Sequence, residues 1–208
     1  MVRKPMFISF EGIDGSGKST QSKVLAEDLR ARGHDVVLTR EPGGSPGAED
    51  IRAMLVSGDP TRWPPETEIL LFTAARRDHL EQVILPALNS GKTVITDRFA
   101  DSTRVYQGVA RADLRLVVDS LHDLMIGRDP DLTFVIDMDP ATALKRGLGR
   151  GSGEDRFEEF GLQFQIDLRQ GFLDLANQNS ARCKVIDGNR DADKIAGDIA
   201  AHLRSENP

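Results

Sequence analysis

The stretch FISFEGIDGSGKSTQ, residues 7–21, decides the fold. Phe7, Ile8, Ser9 and Phe10 predict a short buried strand, and from Lys18 onward (KSTQSKVLAEDLRARG) apolar residues recur at helical spacing. Between them, Gly12-Ile13-Asp14-Gly15-Ser16-Gly17-Lys18-Ser19 fits G-x-x-x-x-G-K-[ST] at every fixed position, with Thr20 following. A polyphosphate needs many donors in one concavity, and glycines let the backbone curl until successive N–H groups point inward. The helix N-terminus adds partial positive charge, Lys18 reaches the β and γ oxygens, and the Ser19 hydroxyl is suited to Mg²⁺. The stretch reads as a nucleoside triphosphate site.

Outward from that loop, strands and helices alternate. Strands are predicted at 34–39, 93–96, 132–136 and 183–186, and helices at 48–57, 66–89, 113–126, 141–148, 157–177 and 192–203. Pro86 is expected to kink or end the regular part of the helix at 66–89, and residues 101–111 read as a polar connecting stretch. Five strands alternating with helices imply an α/β fold with a parallel sheet covered on both faces. The 208 residues are expected to form one domain. Residues 149–156, GRGSGEDR, hold three glycines and four charged residues; they bury little, and a mobile flap or lid is expected at about 146–157.

Composition narrows the classes. With 27 basic and 33 acidic residues the net charge is −6, which argues against broad binding to nucleic acid or an anionic membrane. The N-terminal apolar run is too short for a signal sequence, no apolar stretch is long enough to span a bilayer, and a cytoplasmic protein is expected. The single cysteine, Cys183, excludes an internal disulfide and reads as a small core residue, while the four histidines lack ligand spacing.

Polar residues gather where the sheet would present them: Asp14 after the first strand, Arg40-Glu41 after the second, Asp97-Arg98 after the third. Any one of these fits a helix cap or an exposed ion pair. Three on one edge beside a phosphate loop point to a second anionic ligand, because open α/β sheets bind ligands at that edge.

The motifs FEGIDGSGKST, TREPGG, LLFTAAR, DRF followed by STRVYQG, PDLTFVID and EDRFE, in this order and at these separations, resemble the bacterial thymidylate kinases along essentially the whole chain. The resemblance implies a three-layer P-loop kinase fold that moves the γ-phosphoryl of ATP to dTMP in the presence of Mg²⁺. It further implies that Arg40 grips the acceptor's 5′-phosphate with Pro42 shaping its loop, and that Phe72 stacks on thymine while Arg76 bonds its O4. By themselves Phe72 and Arg76 would read as a core ring and a surface charge. Asp97 is similar to the family's carboxylate near the metal, and Arg98 to its guanidinium on the acceptor phosphate. Ser102, Tyr106 and Gln107 match the polar segment around the acceptor, with Tyr106 against the sugar's C2′. Some relatives carry an arginine inside the phosphate loop where this chain has Gly15; the other form draws it from the flap, which implies Arg150 or Arg156 here, with Arg146 a third candidate behind them. Phe99 stands where many relatives have a polar ring. A homodimer is also implied. A GTPase switch is disfavoured because no NKxD-type guanine reader follows the fourth strand.

Overall fold

A computed structural model describes residues 5–56, 58–59, 62–108, 114–149 and 160–206. Five strands, β1 (Phe7–Glu11), β2 (Val36–Arg40), β3 (Thr93–Asp97), β4 (Leu132–Asp137) and β5 (Cys183–Asp187), form one sheet in the order β2-β3-β1-β4-β5. Every pairing is parallel. Such a sheet needs cover on both faces, and β1 shows how one strand supplies both. Ile8 and Phe10 point to one face, where they pack with Leu25 and Leu29 of α1 (Lys18–Ala31) and Ile195 and Ile199 of α9 (Ala192–Glu206). Phe7 points to the other face and packs with Leu80, Ile84 and Phe99.

The remaining helices are α2 (Pro46–Leu55), α3 (Pro65–His79), α4 (Leu85–Asn89), α5 (Ala100–Tyr106), α6 (Arg115–Met125), α7 (Pro140–Leu148) and α8 (Gly161–Gln178). The helix expected over 66–89 is α3 and α4 joined by a π-helical turn, Leu80–Ile84. Pro86, in the first turn of α4, has no N–H to offer. The wider turn just before it lets the helix continue without the missing bond.

One expectation is corrected. Residues 101–111 read as a polar stretch, but Ala100–Tyr106 is helical. Asp101 and Arg104 are buried on this helix because each has charged partners, so it carries no apolar periodicity to recognise.

All five strands end in a charged residue at the same edge: Glu11, Arg40, Asp97, Asp137 and Asp187. Register holds them in a row, with Arg40 opposite Asp97 and Asp137 opposite Asp187. The phosphate loop sits at the middle of this edge and is packed tightly from behind. A Cβ at Gly15 would lie 2.0 Å from the Ala143 carbonyl oxygen of α7, and the backbone there has φ +78°. The loop therefore has no room for the arginine that some relatives place at this position.

Gly15→Ala combines a left-handed backbone cost of about 1–2 kcal/mol with overpacking of about 1–3 kcal/mol. At about 2–4 °C per kcal/mol for a chain of this size, Tm in thermal denaturation is expected to fall by about 4–20 °C. An unchanged Tm would refute the close packing of α7 on the loop.

Candidate active site

At the C-terminal edge of the sheet a cleft of about 260 Å³ opens between the phosphate loop and the segments that follow β2 and β3. From the loop and α1 it is lined by Asp14, Lys18 and Ser19; from the β2 end by Arg40 and Pro42; from α3 by Phe72 and Arg76. The β3 end and α5 supply Asp97, Arg98, Ser102, Tyr106 and Gln107. The residues expected to meet the acceptor thus share one cavity with three of the loop. Arg150 and Arg156 lie outside the described residues.

The loop wall is built for anions. Lys18 is buried and its ammonium donates to the Ile13 carbonyl at 2.7 Å, in the loop itself. Burial, with Arg98 close by, pushes its pKa down to about 8 against the pull of Asp14 and Asp97. The Ser16 hydroxyl is buried and has no hydrogen-bond partner among the described residues. Ser19 Oγ donates to Asp97 Oδ2, and Asp97 Oδ1 is buried without a partner among the described residues.

Arg98 joins the two walls. Its Nη1 donates to the Gly12 carbonyl (3.2 Å) and to Ser102 Oγ (2.8 Å). Its Nη2 donates to Asp14 Oδ1 and to the Tyr106 hydroxyl (3.1 Å), which in turn donates to Asp14 Oδ2 (2.7 Å). Burial alone would raise the Asp14 pKa. The Arg98 and Lys18 charges and the Tyr106 bond overcome it and hold the carboxyl well below the usual range. The backbone at Arg98 is left-handed, φ 71°, a conformation that costs about 1–2 kcal/mol for a residue with a Cβ.

Deeper in the cleft, Arg76 is buried and held. Its Nε donates to Glu41 Oε2 at 2.7 Å, and Nη2 donates to the Phe99 carbonyl (3.2 Å) and Thr103 Oγ1 (3.0 Å). Nη1 has no protein partner among the described residues. His79 links Glu41 (Nδ1 to Oε1, 3.0 Å) with Thr39 (Nε2 to Oγ1, 2.7 Å), so the carboxylate that fixes Arg76 is itself fixed. Phe99 is fully buried, edge-on to Phe7 at 4.9 Å, with the Arg76 guanidinium 5.2 Å from its ring centroid. An apolar ring is what this position packs. Arg40 is more open: its side chain is 53% exposed and pairs with Glu49 Oε2 at 3.0 Å across the TREPGG turn.

Sequence reasoning missed several lining or supporting residues: Glu11, Arg52, Thr103 and the His79 link; Glu41 was singled out at its strand end, but not as the partner that fixes Arg76. Glu11 is fully buried, accepting from the Phe99 N–H (2.7 Å) and from Ser102 Oγ (2.6 Å). Burial and the Asp101 charge push its pKa up to about 7, against the opposing effects of Arg98 and these bonds. The available signal was alternation: residues 7, 9 and 11 share a face of β1, so a carboxylate at 11 had to be buried beside the loop.

Residues 10–199 match the family described as Thymidylate kinase. The thymidylate kinase of Dinoroseobacter shibae is 71% identical over 203 residues, covering 98% of this chain and 98% of that protein. The thymidylate kinase of Caulobacter vibrioides is 49% identical over 195 residues, with 93% of each covered. The crystal structure of thymidylate kinase from Ehrlichia chaffeensis superposes with a TM-score of 0.79 at 39% identity, covering 96% of this chain and 98% of that one. A phosphate loop facing a second, arginine-lined pocket and relatives matched over nearly their whole length lead to one conclusion: the chain belongs to the thymidylate kinase family.

Proposed function

We infer that this chain is an ATP-dependent nucleoside monophosphate kinase that transfers the γ-phosphoryl of ATP to dTMP, giving ADP and dTDP for dTTP synthesis. The observation that carries this reading is the shared cleft, in which the triphosphate loop and two arginines from outside its sequence, Arg40 and Arg98, surround one cavity. Two anions repel, and transfer through a loose transition state asks chiefly for positioning and charge stabilisation. Arginine suits both needs, since its planar fork grips two oxygens and stays charged.

In this reading residues 12–20 bind the ATP phosphates, with Lys18 on the transferring group. Arg40 and Arg98 hold the acceptor phosphate, with Pro42 shaping the turn. Phe72 stacks on the base and the Arg76 Nη1 donates to O4. The Tyr106 ring, its hydroxyl held by Asp14, lies against the sugar's C2′, and Ser102 and Gln107 complete the acceptor pocket. Arg150 and Arg156, in a lid at about 146–157, are the proposed further charges on the transition state. The whole of 1–208 is proposed to act as one catalytic domain.

Ser19 and Asp97 are the residues proposed to hold Mg²⁺. Asp97 Oδ1, buried and unpartnered among the described residues, and the nearby Ser19 hydroxyl fit a cation that takes one or two protein oxygens and keeps phosphate and water for the rest. When bound, the metal neutralises developing charge on the phosphates. A homodimer is proposed through α3 and α6, where Leu70 is 57%, Leu116 79% and Leu124 80% exposed. A cytoplasmic location is proposed, and a single buried cysteine fits a reducing compartment.

A coupled phosphotransfer assay with ATP·Mg²⁺ against dTMP, dUMP, UMP, CMP, AMP and GMP is expected to show preference for dTMP, and Lys18→Ala to lower the rate by at least about 10²-fold. Nucleotide binding without transfer to any acceptor would refute the kinase reading. A second prediction follows from Lys18. Its cation is needed and its pKa in the free protein is about 8, so kcat/KM for ATP is expected to fall as pH rises through about 8. Bound phosphates favour the cation, so the fall in kcat should lie at higher pH; a pH profile flat to pH 10 or beyond, roughly the ordinary lysine range, would contradict this.

A further inference from the structure

Among the described residues Arg98 is the only residue other than glycine with positive φ. A side chain in the left-handed region does not hold itself there; the surroundings must do so. Three hydrogen bonds flank it. The Arg98 N–H donates to the Phe10 carbonyl at 2.9 Å, Thr96 Oγ1 donates to the Arg98 carbonyl at 2.8 Å, and the next N–H, of Phe99, donates to Glu11 Oε1 at 2.7 Å.

Glu11 also reaches the other end of the same residue. Its Oε2 accepts from Ser102 Oγ at 2.6 Å, and that oxygen accepts from Arg98 Nη1 at 2.8 Å. One buried carboxyl therefore supports both the strained backbone of Arg98 and, through a hydroxyl, its guanidinium. Burying a carboxyl is costly and a plain turn does not require it, so this one is explained by what it holds.

We propose that Glu11 is a positioning residue for phosphoryl transfer: through the Phe99 N–H and the Ser102 hydroxyl it keeps Arg98 left-handed and its guanidinium aimed into the cleft. Glu11 does not line the cleft. The inference rests on the assignment of Arg98 to the acceptor phosphate. Without the carboxyl, the backbone at Arg98 relaxes toward negative φ and carries the side chain away from the acceptor.

The test is steady-state kinetics of Glu11→Ala in the full chain, alone and combined with Arg98→Gly. Glu11→Ala is expected to lower kcat/KM for dTMP by at least about tenfold while KM for ATP moves by less than about threefold. In the Arg98→Gly background the same change is expected to add less than about threefold, because the group it positions is gone. Thr96→Val, a near-isosteric change on the other side of the same peptide, keeps the inference testable if Glu11→Ala does not fold; it too is expected to lower kcat/KM for dTMP and to be masked by Arg98→Gly. Equal costs with and without the Arg98 guanidinium would show a merely structural role and overturn the inference. So would unchanged kcat/KM in both Glu11→Ala and Thr96→Val while Arg98→Gly is impaired. If Arg98→Gly itself is unimpaired, the acceptor assignment fails and the inference falls with it.

Discussion

The Arg98 guanidinium is the joint of this molecule. It sits where β3 ends, yet its partners are Asp14 and the Gly12 carbonyl of the phosphate loop on one side and Ser102 and Tyr106 of α5 on the other. The parallel register makes the joint possible, since Phe10 at the end of β1 lies opposite Asp97. A one-residue slip of β3 would turn Asp97 and its neighbours to the opposite face. The two halves of the cleft, proposed for donor and acceptor, are therefore fixed relative to each other by a sheet register and one cation. In a phosphoryl transfer that is where most of the catalysis lies.

Buried charge is used around this joint to place side chains. Asp101 is 1% exposed, yet it accepts from Arg182 Nη1 (2.6 Å) and Nη2 (2.9 Å) and from Arg104 Nη1 (2.8 Å). Arg104 also reaches Asp119 of α6 and Asp129, so α5 is tied to its neighbours by its polar side. The Glu41–Arg76 pair does the same beneath the TREPGG turn. Such pairs add little net stability over an apolar core, but losing one partner typically costs about 3–5 kcal/mol. That asymmetry suits a site whose geometry matters more than its contribution to folding. The exposed Arg40–Glu49 pair is of another kind; water screens it and keeps it weak, which suits the acceptor-phosphate role proposed for Arg40.

The sequence was legible where backbone geometry dictates residue type. The loop glycines are required by positive φ at Gly12, Gly15 and Gly17, and the strand ends followed from alternation and turn residues. Phe72 and Arg76 were readable only through family resemblance, because a ring and a guanidinium four residues apart on a helix also describe a core contact and a surface charge. The buried polar network was not legible. Glu11, Asp101, Arg104 and His79 carry side chains that composition places at the surface, and only partners distant in sequence make their burial tolerable. For the same reason α5 read as a loop: only Ala100, Val105 and the Tyr106 ring give it an apolar contribution to the core, and its polar residues are paired with protein or open to the cleft.

The central claim is that one cleft holds both nucleotides with their phosphates end to end across Arg98. The most direct measurement is calorimetric binding of a bisubstrate compound, adenosine and thymidine joined through their 5′ oxygens by a polyphosphate chain. If the halves share the cleft, the compound should displace both ATP and dTMP, bind with a stoichiometry of one per chain, and exceed the affinity of either nucleotide by at least about 10²-fold, as linked ligands do when both sites are engaged at once. A compound that displaces only one nucleotide, and binds no more tightly than that nucleotide alone, would show that the two sites do not meet.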